Sequence, residues 1–304
     1  MEEGFYVIET RELTKMFRDV LAVDRINLKV KKKEIYGFLG PNGAGKTTTM
    51  KMLLGLIHPS SGDAYINGER VTQDSVEIKR EIGYLPETVS FYGNLTPVQT
   101  LNFFCDLKGV DKSVVPHLLE EVGLKEAAKR KVRTFSKGML QLLAFAQAMI
   151  GEPSIYILDE PSSGLDARWV KIIRNRIKEL NENGATIVFS SHNLSEVQVL
   201  CHSIGVINRG RLIAEDTVEN LNKRLKISPK LWIKIRGSIP PWIQEIEGVE
   251  DVEVKGNEVL LTYKGERKLQ IIEEIKNRGI KIEDFRTIEP SLEETFVKLL
   301  EGEK

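Results

Sequence analysis

The sequence predicts an α/β fold with a parallel sheet, an antiparallel β subdomain and a helical insert, followed by a small α+β domain. Short apolar strands alternate with helical segments up to about residue 226, which is typical of a parallel sheet. Helical patterns interrupt this alternation over about 88–150. From 229 onward the order is strand, helix, strand, strand, helix, strand, which is that of a ferredoxin-like fold. We therefore predict two domains, 1–226 and 229–304.

The composition excludes several classes of protein. The 304 residues include 44 basic and 44 acidic side chains, a balance that favours neither a general nucleic-acid binder nor a binder of anionic membranes. Cys105 and Cys201 have no metal-ligand spacing, which indicates a reducing, cytoplasmic compartment. No signal peptide and no run of 18 apolar residues is present. We expect any connection to a membrane to come through a partner.

The first strands precede a glycine-rich loop. Residues 5–39 alternate between apolar and polar in YVIETREL, INLKVKKK and EIYGFLG, which predicts an antiparallel patch leading into a buried strand. MKMLLGLI, at 50–57, predicts a helix after the loop. SSGDAYINGER predicts a hairpin that turns at Asn67 and Gly68. IGYLPE, at 82–87, predicts a short strand.

The helical insert and the strands after it complete the first domain. TPVQTLNFFCDLKG, VVPHLLEEVGL and KGMLQLLAFAQAMI predict three helices, of which the last is apolar on most sides and therefore buried. IYILDE (155–160) and ATIVFSSH (185–192) predict buried strands. Between them, ARWVKIIRNRIKELNENG predicts an amphipathic helix closed by Gly184.

The C-terminal domain carries no recognisable chemistry. Its predicted elements are LWIKIRG, PPWIQEIEG, VEDVEVKG, EVLLTYKG, RKLQIIEEIKNRG and IKIEDFRTIE, followed by a last helix in SLEETFVKLLEG. Counting from Pro229, 13 basic and 16 acidic residues give a net charge of −3, which offers no basic face for nucleic acid. We interpret it as a regulatory or dimer-contact module.

The stretch GPNGAGKTT fits the phosphate-loop pattern G-x-x-x-x-G-K-[ST]. Gly43 and Gly45 let the backbone come close to a polyphosphate, Lys46 reaches the β- and γ-phosphates, and Thr47 is placed to bind Mg²⁺. A glycine-rich turn before an amphipathic helix is the alternative, but the buried strand before the loop favours a nucleotide site. The predicted nucleotide ligands here are Gly40, Pro41, Asn42, Gly43, Ala44, Gly45, Lys46, Thr47 and Thr48.

Two carboxylates end the strand IYILDE. Asp159 can hold Mg²⁺ through water, and Glu160 is placed to polarise an attacking water. The alternative is an ordinary acidic turn after a strand. The phosphate loop upstream favours the functional interpretation.

Two further segments have a functional and a structural interpretation. Ser136 and Gly138 lie at the start of the long buried helix, where they form either a second anion-binding helix N-terminus or a plain serine cap. His192 follows a buried strand in SSHNLSE. It is either a structural histidine or a contact for a γ-phosphate.

With these segments in this order, the sequence resembles the ATP-binding subunits of ABC transporters over about residues 1–225. GPNGAGKT resembles the Walker A loop, FSKGM the ABC signature, ILDEP Walker B, SSGLD the D-loop and SSH the switch histidine. The resemblance implies ATP and Mg²⁺ as cofactors. It also implies that Phe17, in LTKMF, stacks on adenine and that Asp166 of the D-loop lies at the nucleotide site.

The departures from the family pattern point to one branch. The signature has SKGM instead of SGGQ, so Lys137 and Met139 are the changes. Glu87 stands where the family usually has a metal- and water-sensing glutamine, and the resemblance implies a third Mg²⁺ contact there. Leu142 and Gln147 stand where relatives often carry arginine. Together with LTP and PSLEETF, these variants resemble single-domain ATPases of exporters for drugs, lipids, polysaccharides or Na⁺.

The resemblance implies a mechanism. A second copy of the chain, or a homologous ATPase subunit, would bind head to tail. ATP on Lys46 of one subunit would be covered by Ser136 and Gly138 of the other. Glu160 would act as base and His192 would contact the γ-phosphate. The insert, joined through Glu87, would transmit closure to an integral membrane permease, which would hold the chain on the cytoplasmic face of the membrane.

Three alternatives remain at this point. The first is an ABC-type ATPase that remodels ribosomes or DNA, against which stand a single cassette and the absence of a heptad insertion. The second is an ATP-gated regulator without hydrolysis, suggested by Glu87 and the altered signature. The third is another phosphate-loop enzyme, such as a kinase, which the signature and the switch histidine disfavour.

Overall fold

The computed structural model describes residues 6–217, 219–221, 228–265, 267–288 and 296. The chain divides into two compact units, 1–218 and 219–304. The predicted boundary at 226–229 falls partly on residues outside the described ranges.

The strands and helices are numbered in chain order. The strands are β1 Tyr6–Phe17, β2 Val20–Ile26, β3 Lys29–Lys31, β4 Ile35–Leu39, β5 Ser61–Ile66, β6 Glu69–Arg70, β7 Ile82–Leu85, β8 Ile155–Asp159, β9 Thr186–Ser191, β10 Ser203–Asn208, β11 Arg211–Asp216, β12 Lys230–Ile235, β13 Val249–Lys255, β14 Glu258–Tyr263 and β15 Ile282–Ile288. The α-helices are α1 Lys46–Leu53, α2 Val76–Arg80, α3 Pro97–Lys108, α4 Val115–Glu121, α5 Lys137–Met149, α6 Ala167–Glu182, α7 Leu194–Leu200 and α8 Lys268–Asn277.

A six-stranded sheet in the order β11-β10-β4-β9-β8-β7 forms the centre of the first unit. All neighbours are parallel except the edge strand β11, which is antiparallel to β10. Every residue of β4, β8 and β9 is buried, as expected for parallel strands covered on both faces. The predicted parallel sheet is confirmed. The hairpin β10–β11 was not predicted. In the structure its turn is formed by Arg209 and Gly210, which both have positive φ.

The antiparallel β subdomain is also confirmed, with a different arrangement of its first strands. β1 pairs with β2, β3 and β5, and β5 pairs with β6 through the turn at Asn67 and Gly68. We predicted one strand over 26–33, whereas β2 ends at Ile26 and β3 covers three residues. The reason is an irregularity of β1 near Glu12, whose φ is +49°, so that the long strand pairs with two short ones in turn.

The helical insert contains α3, α4 and α5. Thr96 caps α3 with a capping box, and Pro97 is its first residue.

In the core, α1 begins at Lys46 and ends at Leu53, so the prediction of a helix to 57 was too long. Gly55, with a φ of +61°, stops the helix there.

The C-terminal unit has a four-stranded antiparallel sheet in the order β13-β14-β12-β15, with α8 packed on a core of residues that include Leu231, Leu261 and Ile271. The first predicted helix is instead a short 3₁₀ segment, Pro241–Glu245. The backbone is already extended at Ile246, which is buried in the core of this unit, so the segment ends after five residues. Of the predicted last helix, over 291–302, the structure describes Phe296, which is helical, and the other residues lie outside the described ranges.

Candidate active site

The glycine-rich loop connects β4 to α1. Gly45 precedes the helix with a φ of +111° and gives it no side-chain cap. A Cβ at this position would lie 2.5 Å from the carbonyl oxygen of Ala22, so the loop requires glycine here for space as well as for conformation. Gly43, with a φ of +79°, has no atom within 4 Å of such a Cβ. The loop backbone is therefore open on the side of Gly43 and tightly packed at Gly45.

The loop lines a cleft of about 200 Å³. Its walls bring together most of the predicted nucleotide and metal ligands. The lining residues are Ala22, Pro41, Asn42, Gly43, Ala44, Gly45, Lys46, Thr47, Thr48, Glu87 and Glu160. Ala22 was not predicted, because nothing in its own segment of sequence resembles a ligand motif.

Lys46 is buried at the base of this cleft, with 6% of its surface exposed. Its Nζ donates to the carbonyl oxygens of Gly40 at 2.6 Å and Pro41 at 3.3 Å. It also forms an ion pair at 3.3 Å with Oε1 of Glu160, an oxygen for which the described residues provide no hydrogen bond. Gly40, a predicted nucleotide ligand, thus contacts Lys46 through its carbonyl group. In this structure the carboxylate of Glu160, and not a phosphate, balances the positive charge of Lys46.

Glu160 is held between two basic groups. Its Oε2 lies 2.8 Å from Nδ1 of His192, and its Oε1 faces Lys46. Its backbone has a φ of +51°, a region that costs a non-glycine residue free energy and that is concentrated at functional sites. The side chain of His192 is about half exposed, at 54%. The structure therefore places Glu160, buried and oriented, directly at the phosphate loop.

Ser190 connects the carboxylate of Asp159 to the backbone of Glu160. Its hydroxyl donates to Oδ1 of Asp159 at 2.6 Å and accepts from the backbone N–H of Glu160 at 2.9 Å. Sequence reasoning assigned Ser190 no role; the only available indication was its place two residues before His192.

Asp159 fits a metal ligand. Its Oδ2 is buried and has no hydrogen-bond partner in the part of the chain that the structure describes, and a buried carboxylate oxygen without a partner costs free energy. Thr47 and Glu87 line the neighbouring cleft, and oxygen ligands of this kind are those that Mg²⁺ prefers. Burial, with the nearby charges of Asp159 and Glu87, raises the pKa of Tyr84 to about 12, so that this phenol stays neutral beside the carboxylates. The donor set therefore fits Mg²⁺.

Phe17 lies outside the cleft. It ends β1, with 46% of its surface exposed, and pairs across the hairpin with Val20. The Nζ of Lys15 lies 4.9 Å from the centre of its ring. The exposed ring stands on the same hairpin as Ala22, which does line the cleft.

The signature and D-loop residues form a second, separate group. Ser136 Oγ accepts from the N–H of Met139 at 3.3 Å, and Asp166 Oδ1 accepts from the N–H groups of Arg168 and Trp169 at 3.0 and 3.2 Å. Both are helix caps within this chain, and neither lines the cleft.

Gly138 and Lys137 tie this second group together. A Cβ at Gly138 would lie 3.2 Å from the ring of Trp169, and one at Gly164 would lie 2.5 Å from Nζ of Lys137. The start of α5 therefore packs on the D-loop and on the first turn of α6. One chain carries two sets of residues that do not meet.

Comparison with known proteins gives the family. Residues 23–163 match the model of the ABC transporter family. The bacitracin transport ATP-binding protein BcrA of Bacillus licheniformis is 38% identical over 303 residues, which cover 97% of this chain and 98% of the relative. This chain belongs to the ATP-binding subunits of ABC transporters. As such a subunit it binds and hydrolyses ATP, as predicted.

Other comparisons extend over both units. The linearmycin resistance ATP-binding protein LnrL of Bacillus subtilis is 31% identical over 304 residues, covering 96% of this chain and 98% of the relative. Residues 222–300 match the C-terminal domain of DrrA1-3-like ATP-binding proteins. These ABC relatives are transport and resistance proteins, and no observation supports a ribosome- or DNA-remodelling factor or a non-hydrolysing regulator.

Solved structures share the fold of the first unit. An ATP-binding subunit of an ABC transporter superimposes with a TM-score of 0.67 at 30% identity, covering 72% of this chain and 92% of the other. A dimeric ATP-binding cassette in a post-hydrolysis state, bound to ADP and phosphate, does so with a TM-score of 0.64 at 24% identity, covering 69% and 98%. Among the residues described for this subunit, none belongs to a helix suited to cross a membrane.

Proposed function

We propose that this subunit closes head to tail with a second copy, or with a homologous ATPase subunit, around two ATP molecules. One observation carries the proposal. The cleft holds the phosphate loop, Lys46 and Glu160, whereas Ser136, Gly138 and Asp166 lie outside it in the same chain. The N-terminus of α5 attracts anions and has no acidic residue in its first turn. A second copy supplies this terminus to the open side of the cleft.

Hydrolysis then follows from the contacts of the site. When ATP binds, Lys46 exchanges Glu160 for the β- and γ-phosphates. Glu160, released from the ammonium, orients and deprotonates the attacking water. His192 contacts the γ-phosphate and holds Glu160 through Nδ1. Asp166 links the two sites across the dimer. Phe17 stacks on the adenine.

Thr47, Asp159 and Glu87 would hold Mg²⁺. When bound, the ion supplies positive charge to the β- and γ-phosphate oxygens. Because Glu87 replaces the neutral glutamine of most relatives, this site carries one more negative charge. We infer that the extra charge strengthens the hold on the ion.

The subunit drives a separate integral membrane permease and works at the cytoplasmic face of the membrane. Exposed apolar side chains of the insert support this partner. Tyr92 is 72% exposed, Phe103 48% and Leu107 68%, and Tyr92 follows Glu87 by five residues. The names of the relatives, bacitracin transport and linearmycin resistance, support export of an antibiotic.

Glu160→Gln tests the closed dimer. The amide cannot accept the proton of the water, so we expect hydrolysis to slow by at least about 100-fold, the scale of general-base catalysis. It also releases Lys46 from its ion pair, which favours ATP binding. Gel filtration with ATP and Mg²⁺ should show a dimer of the variant.

Glu182→Gln is the control, because Glu182 is exposed on α6 and outside the site. It should hydrolyse ATP at the normal rate. If the Glu160→Gln protein stays monomeric with ATP, the head-to-tail dimer is wrong for the isolated subunit.

A further inference from the structure

A second cavity lies behind Glu160. Its volume is about 760 Å³, larger than that of the nucleotide cleft, and it lies between the D-loop, α6 and the start of α7. Glu160 lines both spaces, and His192 lines the second. The nucleotide cleft and this rear cavity therefore adjoin at Glu160, which is paired with His192.

One face of α6 lines the rear cavity with basic side chains. Lys171, Arg174 and Lys178 follow one another at intervals of three and four residues, which places them on the same side of a helix. Within the described ranges of the chain, none of the three makes an ion pair or a side-chain hydrogen bond. Arg176, which does not line the cavity, is paired with Glu121 and Glu179. Three cations on one face of α6 therefore line the cavity without a carboxylate partner among the described residues.

Arg174 is the most constrained of the three. It is half-buried, and its Nε is fully buried and has no hydrogen-bond partner among the residues that the structure describes. A guanidinium that lacks a partner is left uncompensated, at a cost in free energy. The group has the donor geometry for a tetrahedral oxyanion. An anion in the cavity would compensate the charge of this guanidinium.

The carboxylates of the cavity do not cancel this charge. Glu160 is already bracketed by Lys46 and His192. Glu196 is buried and accepts from the hydroxyl of Ser162 at 2.5 Å. Three cations therefore face one carboxylate that lacks a cationic partner, and the excess charge is positive.

We propose that the rear cavity binds inorganic phosphate, which it receives from the γ-position of ATP after hydrolysis. Phosphate leaves the cleft with negative charge, is repelled by Glu160 and is attracted to Arg174, Lys171 and Lys178. No bond is made or broken in the cavity. Binding of phosphate stands on the geometry alone, whereas its origin as product rests on the proposed function.

The test measures phosphate binding to the nucleotide-free full chain by equilibrium dialysis with labelled inorganic phosphate. The phosphate loop is itself an anion site, so Lys46→Ala provides the background in which that site is weakened. We expect the Lys46→Ala protein to retain one phosphate site. Adding Arg174→Ala should weaken it by about tenfold or more, the scale of a lost charge-assisted hydrogen bond.

Matched variants identify the site. Lys129→Ala removes an exposed cation outside the cavity and should leave phosphate binding unchanged, and Arg174→Lys should lose less than Arg174→Ala. Should Arg174→Ala fail to fold, the double variant of the exposed Lys171 and Lys178 to alanine takes its place. ADP should not displace the phosphate from the Lys46→Ala protein.

The outcomes separate this proposal from the proposed function. Absence of phosphate binding in Lys46→Ala, unchanged affinity after Arg174→Ala, or displacement by ADP would each overturn the rear-cavity site. If the protein binds phosphate in the rear cavity but does not form the closed dimer, the rear-cavity site stands and the proposed dimer is wrong. In active protein, Arg174→Ala should also weaken product inhibition by phosphate while the KM for ATP stays the same.

Discussion

Lys46, Glu160 and His192 form a continuous line of contacts through the site. Each depends on a neighbour: Lys46 on Gly40 and Glu160, and Glu160 on Lys46 and His192. Because Glu160 pairs with the Lys46 ammonium in this structure, we propose that ATP binding and release of the base are one event. The residues named from sequence motifs therefore act as a coupled set.

Replacement of Lys46 by alanine should abolish turnover. It removes the charge that faces the phosphates and leaves Glu160 buried with only His192 beside it. Phosphate release measured with saturating ATP and Mg²⁺ is the assay. Lys51→Ala, an exposed lysine of the same helix, should keep normal activity. Retained turnover in Lys46→Ala would remove the loop from the mechanism.

The two loop glycines should differ in their response to alanine. Both positions have positive φ, which costs alanine about 1 kcal/mol. At Gly45 a Cβ also meets the carbonyl oxygen of Ala22 at 2.5 Å, whereas at Gly43 it meets nothing. Gly45→Ala should therefore lower the free energy of unfolding and the ATP affinity more than Gly43→Ala. Equal losses in denaturation and binding experiments would contradict this.

At the scale of elements, the parallel sheet assembles the site. β4, β8 and β9 are adjacent and parallel, so their carboxyl ends deliver the phosphate loop, Asp159 with Glu160, and His192 to one edge. The helix α1 gives the loop its positive end. Strand order thus explains why residues more than a hundred positions apart meet.

Elsewhere in the same sheet, a partly buried hydrogen-bonded pair joins β4 to β11. The Tyr36 hydroxyl donates to Oε1 of Glu215 at 2.8 Å. It reaches across β10 at Gly205, where a Cβ would lie 2.1 Å from the phenol oxygen. Burial raises the pKa of Glu215, against the smaller opposing effect of the hydrogen bond from Tyr36. The carboxyl group of this edge hairpin therefore ionises at a higher pH than an ordinary glutamate.

This pair predicts a pH dependence of stability. Since the pKa of Glu215 is higher in the folded chain, its contribution is complete below the ordinary glutamate value of about 4.3 and is lost as the pH rises through the folded value. Glu215→Gln does not titrate and can still accept from Tyr36. The Tm of the wild type relative to this variant should therefore fall from pH 4 to pH 8.

Thermal unfolding at a series of pH values measures this difference. The control, Glu182→Gln, should show a difference in Tm that hardly changes over the same range. A constant difference for Glu215→Gln as well would show that its carboxyl group has the same pKa in both states.

At the scale of the whole molecule, the two units have separate cores. The buried cluster that includes Ile8, Phe38 and Ile157 belongs to the first unit. The cluster with Leu231, Leu261 and Ile271 belongs to the second. Each unit therefore carries its own hydrophobic driving force for folding.

The C-terminal unit should fold alone. Residues 228–304, expressed separately, should unfold cooperatively when followed by circular dichroism. Leu261→Ala in this fragment should lower the free energy of unfolding by about 2–5 kcal/mol, because it leaves a cavity at a fully buried position. A fragment that melts without a cooperative transition would show that this core depends on the first unit.

Much of this molecule follows from local sequence. The phosphate loop fits a pattern because backbone approach to phosphate needs glycine at fixed places. The strands β4, β8 and β9 were predictable because short continuous runs of apolar residues are typical of buried parallel strands. The segment Pro241–Glu245 and the split between β2 and β3 were not, since the burial of an extended Ile246 and a bend in β1 changed what the local pattern favoured.

The sequence by itself determined the class of chemistry: a phosphate loop, two carboxylates after a strand, and a histidine after another. The tertiary structure alone decided that Glu160 pairs with Lys46, that Ser190 joins Asp159 to Glu160, and that the basic face of α6 lies behind them. A sequence motif shows which chemical groups one segment of the chain can supply. Pairing depends on strand order and on the faces of helices, which bring together side chains that no local pattern relates.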